Sequence, residues 1–149
     1  MQAARGTCLH LKRVKMSMRP KRLRFDRAEV HEESDSTCRV EVTFSFTDRV
    51  IQAEATGASD RSGRLKAAAT AAFMAMERMV EGRFKLELVD LDRVNALGKD
   101  LIAVLVNIDF EGKQVQVFGS CQVTGNEIDV AVKAALNATN RFFELAMRD

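Results

Sequence analysis

The groups able to do acid–base, nucleophilic or metal chemistry are few and scattered along this sequence. The two histidines, His10 and His31, stand apart from any nucleophile or metal motif, and each reads as a surface residue. The three cysteines, Cys8, Cys38 and Cys121, are odd in number and form no Cys-x-x-Cys pair or recognised zinc spacing. Neither a structural metal nor a disulfide framework is therefore expected. Carboxylates such as Glu41, Glu54 and Glu87 alternate with apolar neighbours, the pattern of a solvated strand face. Cys121, two residues after Gly119, reads as a small buried thiol, because no base lies nearby in the sequence to make it a nucleophile. A non-enzymatic chain without cofactor or metal is the expectation.

Binding chemistry is better placed in two loops, TGASDRSG before Leu65 and GSCQVTGNE before Ile128. Each leaves a strand at a glycine, Gly57 or Gly119, and reaches a helix at a second, Gly63 or Gly125. A helix start offers free N–H groups and a positive dipole end, which suit a carboxylate. The plain alternative is that these glycines only shape turns.

The elements that would position those loops follow from periodicity. RVEVTFSF, from Arg39 to Phe46, alternates strictly, and RVIQAEATG follows after a short Thr47–Asp48 turn, so the two should pair as a hairpin. LRFDRAEV, from Leu23, reads as a preceding strand. A helix from Gly63 to Glu81 then carries an apolar stripe of Leu65, Ala68, Ala69, Ala72, Phe73, Met76, Met79 and Val80, with Gly82 as its stop. The second half repeats the order. Strands are expected at Phe84–Leu91, Leu101–Phe110 and Lys113–Gly119, with VNALGK as a loop and Glu111–Gly112 as a turn. Aligning Arg39 with Ala103 offsets the copies by 64 residues. The closing helix, within Thr124–Leu145, starts at a Thr124 or Asn126 cap and should bury Ile128, Ala131, Val132, Ala135, Leu136, Ala138, Phe142 and Leu145. An α+β fold is predicted: two βββα units related by a pseudo-twofold axis, with helices packed on antiparallel sheets.

Length and composition bound the rest. At 149 residues and 46% hydrophobic, the chain can bury an ordinary core. Eight Lys or Arg and no acid precede Asp26, leaving 15 basic against 21 acidic residues from Asp26 onward. Residues 1–22 read as a flexible basic arm, and residues 23–149 as one domain of two repeats, 23–82 and 83–149. No apolar run suits a membrane span or a secretory signal, so a cytoplasmic protein without membrane partners is expected.

The doubled β-β-β-α order, the glycines between strand and helix, and EIDVAVKAALNATNRFF near the end together resemble the C-terminal regulatory domain of the α-isopropylmalate synthase and citramalate synthase family. Ile128, Ala131, Lys133, Ala134, Leu136, Asn137, Ala138, Asn140 and Arg141 carry the likeness in the last helix, and Gly98, Lys99 and Asp100 resemble the start of the family's second half. The likeness spans residues 23–145. It implies a non-catalytic, dimerising domain that binds leucine, isoleucine or a related amino or keto acid between its halves and tunes a separate catalytic subunit. By position it implies ligand-binding roles for Gly57, Gly63, Leu65 and Ala67 in the first half, and for Gly119, Ile128 and Ala131 in the second. A bulky side chain at Gly63 would then block the ligand without unfolding the chain. This sequence departs from the family in the expanded, charged loop holding Asp60, Arg61 and Arg64.

A second resemblance is confined to GASDRSGRLKAAATAAFMAM, which is similar to the loop and last helix of a double-stranded RNA-binding domain. It implies phosphate contacts by Arg61, Arg64 and Lys66, helped by the basic arm.

Overall fold

In the computed structural model, residues 22–148 are described. The order is β1 (Arg24–Glu32), β2 (Thr37–Phe46), β3 (Arg49–Ala58), α1 (Arg61–Met79), β4 (Phe84–Ala96), β5 (Lys99–Phe110), β6 (Lys113–Gln122) and α2 (Glu127–Met147). Two antiparallel three-stranded sheets result, β1-β2-β3 and β4-β5-β6, each followed by a helix. The α+β fold and the doubled βββα order are as the periodicity predicts. The expected basic arm lies outside the described residues apart from Arg22.

The central strands supply the core. Val40, Val42 and Phe44 of β2 and Ile102, Val104, Val106 and Ile108 of β5 alternate inward and are buried. A bulge at Asp26 keeps both Phe25 and Ala28 on the inner face of β1, and one at Val89 does the same for Leu88 and Leu91 of β4. That second bulge carries β4 beyond the expected end at Leu91. VNALGK is accordingly mostly strand: only Leu97 and Gly98 turn, with φ of 55° and 77°, the pair of positive angles that a two-residue type I′ hairpin demands. Glu111 and Gly112 do the same with 54° and 79°. β6 likewise runs on past Gly119 to Gln122.

Each helix is dense in alanine, a strong helix former that also lets backbones approach. The expected stripe of α1 is buried throughout. Its end is a Schellman-type turn, in which Gly82 N–H donates to the Glu77 carbonyl at 2.9 Å and Glu81 N–H to Arg78 at 3.1 Å. The left-handed residue at the stop is thus Glu81, φ 54°, with Gly82 one position later.

In α2 the buried surface is wider than one stripe, because the helix meets both its own sheet and α1. Val130, Ala134, Phe143 and Ala146 join most of the expected residues inside, whereas Ile128 and Phe142 are half-buried and Leu145 is exposed. Phe143 meets Phe46 of β2 edge-on, ring centroids 5.4 Å apart, so one core runs through both units. Between the helices the buried Thr139 hydroxyl donates to the Ala135 carbonyl at 2.9 Å and lies 3.3 Å from the Met76 sulfur.

Candidate functional site

The two helix starts come together at one end of the molecule. Asp60 caps α1, its carboxylate accepting the Gly63 N–H at 2.7 Å, and Asn126 caps α2, its side-chain oxygen accepting the Ile128 N–H at 2.8 Å. Arg61 and Glu127 are the first residues of their helices, and they face each other. Arg61 Nε lies 3.0 Å from both Glu127 carboxylate oxygens, with Nη2 at 2.5 Å from one of them. Arg93 of β4 donates to the same carboxylate at 2.5 Å and reaches Asp100 of β5 at 3.0 Å. One carboxylate therefore serves two guanidinium groups from different units, directly where two positive dipole ends converge.

Asp100 accepts from Arg93 and also from Asn95 at 3.3 Å, and these two bonds hold its carboxyl below the ordinary value. Arg64 donates to the Ser59 carbonyl at 2.8 Å and pairs with Glu32 at the end of β1. A hollow of about 270 Å³ opens among Arg61, Arg64, Leu65, Asn126, Glu127 and Ile128. It combines charge with two aliphatic side chains.

The residues assigned by resemblance divide into three groups. Leu65 and Ile128 line this hollow together. Gly57, Gly63 and Ala67 line another, of about 350 Å³, along the seam between β3 and α1. Gly119 and Ala131 border neither; both are buried, and Ala131 is wholly inside.

The glycines are chiefly packing residues. A Cβ on Gly63 would stand 2.3 Å from the Ala58 carbonyl oxygen, and one on Gly57 would stand 2.8 Å from the Gly63 carbonyl oxygen. A Cβ on Gly119 would meet Ala138 N at 2.5 Å and the Ala134 carbonyl oxygen at 2.7 Å, in the middle of α2 rather than at its start. A valine at Gly63 would consequently disturb the strand–helix seam itself, contrary to the expectation that it would leave the fold intact.

The repeat explains the mismatch. Cys38 pairs with Gly57 in the first sheet, and its counterpart Ile102 pairs with Cys121 in the second; Gly119 pairs with Val104, as Ala55 pairs with Val40. Gly57 and Gly119 are thus two positions out of register. The thiols follow the same scheme: Cys121 is half-buried, whereas Cys38 is fully buried, its Sγ 3.5 Å from the Ala58 carbonyl and its pKa raised chiefly by burial.

Two residues of the junction, Glu32 and Arg93, were not anticipated from the sequence. A signal was present: the inward rows Ala28, Val30 and Leu88, Leu91 continue in step to Glu32 and Arg93, charged groups at inward-facing positions. Such a break in alternation marks the place where a sheet face passes beyond its helix.

The three basic residues implicated in phosphate binding all face acids. Arg61 is on Glu127, Arg64 on Glu32, and Lys66 lies 3.7 Å from Asp90. Among the described residues no helix is long and apolar enough to cross a membrane. No protein-family model matches the chain, and no curated protein matches it.

Proposed function

We propose that this chain is a non-catalytic, dimerising domain that takes a small amino or keto acid at the junction of its two units and so regulates a separate catalytic subunit. The observation that carries this reading is the hollow between the helix starts, where the aliphatic Leu65 and Ile128 lie beside Arg61 and Arg64. A branched side chain would rest on the former and a carboxylate on the latter, with N–H groups of the helix starts adding to the anion's binding. Glu127 already holds Arg61 and Arg93, so an incoming carboxylate competes with the chain's own.

Thermal unfolding with and without leucine, isoleucine and their keto acids tests the reading. A ligand that binds only the folded chain raises the midpoint with concentration. The Glu127→Gln variant, which releases Arg61 from its carboxylate while Arg93 keeps Asp100, should respond at lower ligand concentration than the parent. A flat response from both proteins across all four compounds would refute effector binding, and a monomer by sedimentation would refute dimerisation.

A further inference from the structure

The open face of the first sheet, turned away from the helices, gathers metal-ligating side chains that are distant in sequence. Glu29 and His31 project from β1 on the same face, two residues apart, and Glu41 of β2 pairs directly with Glu29. The donor atoms of these three side chains all lie within 4.8 Å of one another.

The surrounding charges neutralise the group only in part, with Arg39 opposite His31 and Arg27 beside Glu29. Glu29, Glu41 and Glu54 stand in one row across all three strands, because Glu41 pairs with both of the others. Like charges directly opposite each other destabilise a sheet. Of the neighbouring cations, Arg39 is engaged by Glu54 at 2.8 Å and Glu33 at 3.5 Å, and Arg27 approaches Glu29 only to 3.9 Å. Glu41 and His31 have no hydrogen bond or ion pair among the described residues. Glu41 is nonetheless half-buried.

We infer that Glu29, His31 and Glu41 form a site for a divalent transition-metal ion of the zinc class. An imidazole with two carboxylates suits such an ion better than calcium or magnesium, which prefer oxygen donors throughout. Tetrahedral coordination at zinc bond lengths places donors about 3.4 Å apart, which modest side-chain rotation achieves from the present spacing. Three protein ligands leave a fourth position open to water or an external ligand. The ion would cancel the repulsion between Glu29 and Glu41 and pin β1 to β2.

Calorimetric titration of the full chain with Zn²⁺, alongside Co²⁺ absorption spectra, tests the site. One ion per chain is expected, with a cobalt spectrum lacking thiolate charge transfer. His31→Ala and Glu41→Gln should each weaken binding at least about tenfold. The double variant Cys8→Ser/His10→Ala removes competing ligands of the arm and should bind as the parent does. Because the three ligands lie on an open sheet face, circular dichroism should show both site variants folded. Absence of stoichiometric binding, a cobalt–thiolate band, or affinity that survives in His31→Ala and falls in the arm variant would each overturn the assignment.

Discussion

The two βββα units build the same junction with opposite charges. At the end of the inward row, the first unit has Glu32 and the second Arg93, which occupy equivalent places opposite Cys38 and Ile102. Each is answered from its own helix, Glu32 by Arg64 and Arg93 by Glu127. At the first helical position the first unit has Arg61 and the second Glu127, and these pair with each other. Two helix starts brought together with identical charges would repel, adding to the repulsion of their dipoles. Reversal of sign in one copy converts that repulsion into a bridge. The copies also differ in how strand meets helix: in the first, Gly57 and Gly63 admit contact at the helix start, and in the second, Gly119 admits Ala134 and Ala138 at mid-helix.

The largest expected effect tests the shared core. Phe143→Ala should cost about 3–5 kcal/mol in chemical denaturation, because its ring is buried and joins α2 to the sheet of the other unit. Phe142→Ala, at a half-buried ring against Phe110, should cost clearly less. Equal losses would show that the second helix is rotated from the arrangement described.

Next come the two strand–helix seams. Gly63→Ala and Gly119→Ala place a Cβ within 2.3 and 2.5 Å of backbone, and each should lose about 1–3 kcal/mol. Gly57→Ala, at 2.8 Å from its nearest atom, should lose less than either. The caps should be closer to even: Asp60→Ala and Asn126→Ala each remove one side-chain bond to a helix-start N–H, at about 1 kcal/mol apiece. A much larger loss at Asp60 would show that its loop organises more than the helix start.

The smallest effect is one of pH. The Asp100 carboxyl is lowered by Arg93 and then by Asn95, so its contribution to stability is complete above the unfolded value and is lost as pH falls through the folded one. Acid titration of Asp100→Asn should therefore show a shallower loss of stability below about pH 4 than the parent.

Strand alternation in β2 and β5 and the three-and-four spacing in both helices were legible because each records a local period against one buried surface. A cap at the start of the last helix and the Glu111–Gly112 turn were legible for a similarly local reason. The end of β4 was not, since the bulge at Val89 breaks the period and Leu97–Gly98 resembles a longer loop until the strands pair. Nor was the burial of Phe143, which depends on a second surface pressing on α2.

Sequence by itself determined the doubled βββα order, because hydrophobic period and turn chemistry act within a few residues of each other. Only the tertiary structure decided which glycines accommodate a helix, which charges meet at the helix starts, and that Glu29, His31 and Glu41 share a face. Each of those depends on strand register and on the approach of segments far apart in the chain, and a displacement of two residues along a strand moves a side chain by about 7 Å.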